Sequence, residues 1–90
     1  MVNETNRSGA EALALSALAW ILSDEARAQR LLGTTGLTPD ALREGLGEPA
    51  LLAAAIRFLE AHEPDLIACA SQVGVAPGEM VAARRQLEGL

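Results

Sequence analysis

Apolar residues recur at helical spacing along nearly the whole chain, and the breaks between them fall on capping residues, prolines and glycines. Ser8-Gly9-Ala10-Glu11 reads as a capping box, with the Ser8 hydroxyl accepting from the Glu11 backbone N–H and the Glu11 carboxylate reaching back. It opens a first helix that runs to about Leu22. Residues 1–7 ahead of it are polar and without period, and read as a flexible N-terminus. Ser23, followed by Asp24 and Glu25, predicts an N-cap and a second helix from about Asp24 to Thr34, its end bracketed by Gly33 and Gly36. Thr38-Pro39-Asp40 starts a short third helix that stops by Gly45-Leu46-Gly47, and Glu48-Pro49 opens a fourth that reaches about Ala61. Glu63-Pro64-Asp65 opens a fifth ending at Gly74, and Ala76-Pro77-Gly78-Glu79 opens a sixth.

The pattern predicts an all-α fold, a compact bundle of about six helices forming a single helical domain over residues 8–90. No segment alternates apolar and polar residues for long, and there is no Asn-Gly or Asp-Gly hairpin turn. The first helix (Ala12–Leu22) and the fourth (Ala50–Leu59) are apolar nearly all round, so both belong inside. The second, third, fifth and sixth mix charge with apolar residues and are expected outside, turning Leu31, Leu32, Leu66, Ile67, Met80 and Leu87 inward.

Sliding the chain by 38 residues aligns its halves without a gap. Ala12-Leu13 falls on Ala50-Leu51, Trp20-Ile21 on Phe58-Leu59, Glu25 on Glu63, Gly36 on Gly74 and Pro39 on Pro77. Residues 9–46 and 47–84 then read as two duplicated three-helix units. A unit of that size is near the lower limit for independent folding, so two would pair their apolar helices. Pseudo-two-fold packing follows, with Trp20 and Phe58 at corresponding core positions. Chance matching in a chain so rich in Ala and Leu is the alternative.

Composition agrees with helix: 18 Ala and 15 Leu stand against seven Val and Ile together. All seven cations are Arg, opposed by 12 carboxylates, for a net charge of −5. That balance argues against a nucleic-acid partner, since binding through counterion release needs a basic face and Arg84-Arg85 is the only basic pair. Cys69 is alone, which excludes an internal disulfide, and its apolar neighbours predict a buried thiol. The longest apolar run, Ala12 to Leu22, is 11 residues, short of the roughly 20 a bilayer crossing needs. No basic cluster precedes it as in a signal peptide, so a cytoplasmic location without membrane contact is expected.

Ala-Leu-x-x-Leu-Ala-Trp-Ile-Leu, Asp24-Glu25, Leu31-Leu32, Gly36-Leu37-Thr38-Pro39 and Leu42-Arg43 together resemble a bacterial family, family 3572 of domains of unknown function. So does the second set, Phe58-Leu59, Glu63, Gly74-Val75 and Pro77. The similarity covers residues 10–88. It implies a small cytoplasmic helical protein and carries over no activity, cofactor or catalytic residue.

Candidate chemistry is sparse. Cysteine catalysis needs a thiolate with a base beside it. The only pair is His62 and Cys69, about 10 Å apart along a continuous helix, which Pro64 interrupts in any case. Structural zinc asks for four Cys or His ligands, and the chain holds two such residues. No phosphate-binding glycine loop follows a strand. No catalytic, cofactor-binding or metal residue is therefore assigned, no cofactor is expected, and the chain is read as not an enzyme. Arg43, Arg57, Arg84 and Arg85 stay without a role, Arg57 either reaching out to solvent or pairing with Glu60 at i+3.

The expectation is a non-enzymatic protein–protein interaction module with an unidentified protein partner, homodimerisation included. The alternative is a helix-turn-helix DNA-binding protein: Ala70, Gly74-Val75, Met80 and Ala83 have that motif's spacing. Against it, the start of the would-be recognition helix carries Ala76, Pro77, Gly78 and Glu79, none of them suited to reading base edges.

Overall fold

The computed structural model describes residues 4–89. It contains α1 (Glu4–Leu22), α2 (Glu25–Thr35), α3 (Pro39–Glu44), α4 (Pro49–Glu60), α5 (Glu63–Val73) and α6 (Pro77–Glu88). The fold is all-α, with no strand among the described residues. Most boundaries sit where capping chemistry puts them. Thr38 Oγ1 accepts from the Ala41 N–H at 3.1 Å, and Pro39, Pro49 and Pro77 occupy first helical positions, where a missing N–H costs nothing. Gly36 and Gly74 close α2 and α5 in the left-handed region, at φ +76° and +90°. Both the Gly74 and Val75 N–H groups donate to the Ala70 carbonyl at 2.9 Å, so the last turn of α5 is closed as the chain turns toward α6.

Two predicted starts are displaced. The backbone of α1 is already helical at Glu4, so the start predicted at Ser8 falls inside the helix. Residues 1–3 of the expected N-terminal segment lie outside the described residues. The N-cap of α2 is Asp24, not Ser23: Asp24 Oδ2 accepts from the Arg27 N–H at 3.0 Å. Ser23 instead donates its hydroxyl to the Trp20 carbonyl at 2.6 Å, satisfying the frayed end of α1.

The core is apolar throughout: no polar or charged residue is buried among the described residues. Ala10, Ala14, Ala17, Leu18 and Ile21 bury one stripe of α1 against Leu52, Ala53, Ala55, Ile56 and Leu59 of α4 and Met80, Ala83 and Leu87 of α6. Alanines at the meeting surfaces bring the helix backbones close. Here the expected layering needs correction, because α6 packs against both α1 and α4 as a central element, not an outer one. Its stripe Met80, Ala83, Leu87 (i, i+3, i+7) is enough to bury it, while its charged residues turn away from the core. Ile67 is also corrected: it is 51% exposed, whereas Cys69 and Ala70 face inward from α5.

Burial repeats at the 38-residue offset. Ala14 and Leu52, Ala17 and Ala55, Leu18 and Ile56, Ile21 and Leu59, Leu31 and Cys69, and Leu42 and Met80 are all buried pairs. Trp20 and Phe58 are both half-buried and pack against the core. The correspondence weakens at the third helices, since α3 is a six-residue helix with no extensive packing partner while α6 completes the core. Two equal units are thus not what the structure displays.

Candidate functional site

The outer face of α4 forms the floor of two open grooves. Toward α2, Ala54, Phe58 and Ala61 line a groove of about 500 Å³ whose walls carry Arg30, Thr34, Arg57 and His62. Toward α6, Pro49, Ala50, Ala53 and Leu87 line one of about 580 Å³ that ends on Glu48 and Glu88. The two share Ala54 and Arg57, so they make one trough along α4, divided by the Arg57 side chain. The trough exists because α4 has alanine where a larger side chain would fill it. The Arg30 guanidinium stands 5.8 Å from the centroid of the Phe58 ring, which it partly covers.

The charged groups around the trough are tied across helices. Arg30 Nη2 and His62 Nδ1 both reach Asp65 Oδ2, at 3.3 and 3.1 Å. Arg84 grips Glu60 with Nε and Nη2 at 2.7 and 3.1 Å and reaches Glu88 Oε1 with Nη1 at 2.9 Å. Arg57 Nε donates to the other Glu88 oxygen. The hydrogen bond from Arg57, then that from Arg84, hold the Glu88 carboxyl below the usual range against its partial desolvation. The Glu60 and Glu88 carboxylates push Arg84 further up, keeping it a permanent cation.

The arginines left without a role are now placed. Arg57 pairs with Glu88 on α6, not with Glu60 on its own helix, because Arg84 already occupies Glu60. Arg84 is therefore structural. Arg43 pairs locally with Asp40 at 3.1 Å on the exposed side of α3, and Arg85 is exposed. The structure does not bring His62 and Cys69 together as a catalytic pair. His62 is exposed at the N-cap of α5, while Cys69 has no accessible surface and burial pushes its thiol up to about 11. Among the described residues, no three His, Cys, Asp or Glu side chains gather as a set that could hold a metal ion. Nothing in the sequence marks Arg30 as belonging with Arg57 and His62, because only the packing of α2 on α4 assembles the three.

The helices α5 and α6 meet at 96°, the corner that the Ala70, Gly74, Met80 and Ala83 spacing describes. Ala70, Met80 and Ala83 are its buried anchors. Arg27 caps a second corner, between α1 and α2: its guanidinium stacks 3.7 Å from the Trp20 ring centroid and Nη2 donates to the Trp20 carbonyl at 2.9 Å. No single helix among the described residues is long and apolar enough to cross a membrane.

These features define a small helical bundle with a surface trough. Residues 7–90 match the family described as "Protein of unknown function (DUF3572)", and the chain belongs to that family. No curated protein and no solved structure matches the chain.

Proposed function

We propose that this chain is a non-enzymatic protein-interaction domain that docks a partner along α4. The observation that carries the reading is the trough: two open grooves that meet at Ala54 and Arg57 and run past Pro49 at one end and Ala61 at the other. Its helical walls and small-residue floor suit a helix laid in a groove better than an enclosed small-molecule site. A photo-cross-linking residue at Ala54, introduced into the full chain in its native host, tests this. A discrete cross-linked protein is expected from Ala54 and none from the same label at Gln72, on the exposed surface of α5. Equal labelling from both positions sinks the reading.

Self-association has its own surface, the exposed stripe Ala12, Leu15, Ala19 and Leu22 on α1. Sedimentation of the native chain beside Leu15→Glu tests it, a single monomer boundary for both telling against it. A DNA-binding reading draws on the 96° corner of α5 and α6. Against it stand the Glu60 and Glu88 partners of Arg84 and the apolar and acidic residues that open α6. Titration with duplex DNA at low salt is expected to give no binding, and saturable binding revives that reading.

A further inference from the structure

We propose that the trough holds an amphipathic helix of a partner protein that is acidic at its N-terminal end, lying antiparallel to α4; this names the partner chemistry of the interaction reading and rests on it. The argument is charge complementarity along the trough. The chain as a whole carries −5, with 12 carboxylates against seven arginines. Yet none of the eight residues lining the groove on the α2 side is acidic, and they include Arg30, Arg57 and the chain's only histidine, His62. At the other end the lining turns acidic at Glu48, while Glu88 stands beside Arg57 and is bonded to it. The trough thus presents Arg30 and Arg57, each paired on one side with Asp65 or Glu88, beside the C-terminal half of α4, and the Glu48 carboxylate beside its N-terminus.

The cations keep donors for a partner. Arg30 uses only Nη2 on Asp65, and Arg57 uses only Nε on Glu88, leaving both Nη groups of Arg57 without a side-chain partner among the described residues. Those terminal nitrogens are the ones that grip a carboxylate in a fork. The existing pairs hold each guanidinium in place, which lowers the entropy lost when a second carboxylate arrives. Both side chains are at least half exposed, at 50% and 62%, so an incoming residue can reach them.

Between the charges the floor is apolar: Ala50, Ala54, Phe58 and Ala61 line one face of α4 at helical spacing. A partner helix fits there with its own apolar stripe down and carboxylates in its first turns over Arg30 and Arg57. Its last turn, carrying cations, falls over Glu48. That order of charges is also the one that stabilises an isolated helix, acid at the N-terminus and base at the C-terminus. Because α4 runs from Glu48 toward His62, the bound helix runs the other way.

The test is an NMR titration of the full ¹⁵N-labelled chain with a synthetic leucine-faced helix of about four turns, carrying glutamates first and lysines last. A peptide of the same composition with lysines first and glutamates last is the control. The first peptide is expected to move amides of 30–35 and 54–62 and to bind at least roughly tenfold tighter than the control. The doubly substituted chain R30E, R57E should lose about that factor, while Arg43→Glu on α3 leaves binding unchanged. Equal binding of both peptides, shifts confined to Leu15 and Leu22 on α1, or no shift at all overturns the proposal. So does glutarate alone moving the same amides as strongly, which assigns the groove to a small anion, or concentration-dependent shifts at the groove without peptide, which assign it to a second copy. A discrete cross-link from Ala54 to a segment lacking acidic N-terminal turns leaves the interaction reading standing and overturns this one.

Discussion

Arg84 on α6 holds Glu60 on α4 through two hydrogen bonds, Nε to Oε2 at 2.7 Å and Nη2 to Oε1 at 3.1 Å. The planar fork of the guanidinium matches both carboxylate oxygens, and the third nitrogen reaches Glu88 one turn along α6. With Arg57 on the far oxygen of Glu88, four charged side chains lace the two helices along the edge of their apolar contact. The lacing explains how a helix as charged as α6 takes a central place: its charges are answered by α4 at the rim while Met80, Ala83 and Leu87 enter the core.

Arg84→Met is expected to lower the melting temperature by on the order of 5 °C, and Glu60→Gln by a similar amount. The two effects should combine to less than their sum, because each removes the same pair. Thermal unfolding of both single variants and the double variant, followed by circular dichroism, measures the coupling. Simple additivity would mean that the pair does not help fasten α6 to α4.

Glu88 gives the network a pH signature. Its carboxyl is held below the ordinary glutamate value by Arg57 and then Arg84, so the folded state binds its proton less readily than the unfolded chain. A depressed carboxyl contributes stability above the unfolded value, near 4.3, and loses it as pH falls through the folded value. Urea midpoints measured from neutral pH downward should therefore fall in acid, and fall less for Glu88→Gln, which has nothing there to titrate. Parallel curves for the two proteins would show that Glu88 takes no part in the acid limb.

The opposite limb belongs to Cys69. Burial raises its thiol to about 11, the nearby Arg27 charge offsetting only part of that. A raised value means the protonated form is favoured in the fold, so its contribution is complete below the unfolded thiol value, near 8.5, and fades as pH climbs toward the folded one. Native protein in mildly alkaline buffer should resist Ellman's reagent and react fully once denatured in urea. Cys69→Ala should flatten the alkaline loss of stability. Rapid modification of the folded chain would contradict the enclosed position of this side chain.

Helix ends were readable wherever backbone chemistry is local. Thr38-Pro39, Gly36 and Gly74 each impose a conformation on their own few residues, and the structure uses them so. The start of α1 was not readable, because polar residues such as Glu4 to Arg7 have no apolar period to reveal a helix. Nor could the run Leu66-Ile67-Ala68-Cys69-Ala70 say which side faces in, since every position is apolar; packing turned Cys69 inward and Ile67 outward. The place of α6 was hidden by its charge, as partners 24 and 31 residues distant, Glu60 for Arg84 and Arg57 for Glu88, leave no mark in local sequence. The trough was half legible: Arg57 stood out within an apolar helix, but Arg30 joins it only when α2 folds onto α4.

The close approach of α1 and α4 depends on alanine, and that dependence can be measured. Ala17 has no accessible surface, and Ala14, Ala53 and Ala55 are buried on the same two helices. A larger side chain at Ala17 has nowhere to go without pushing backbones apart, and overpacking of this kind costs about 1–3 kcal/mol. Ala17→Leu should therefore destabilise the fold by that amount in urea unfolding, although leucine favours helix almost as well as alanine. Ala19→Leu is the matched control, one half-turn round the same helix on its exposed side, and should change stability by no more than about 0.5 kcal/mol. The comparison separates packing from propensity, because the two variants share the same chemical change in the same helix. If both are tolerated equally, the helices are not held at alanine distance, and the core must be looser than its burial pattern implies.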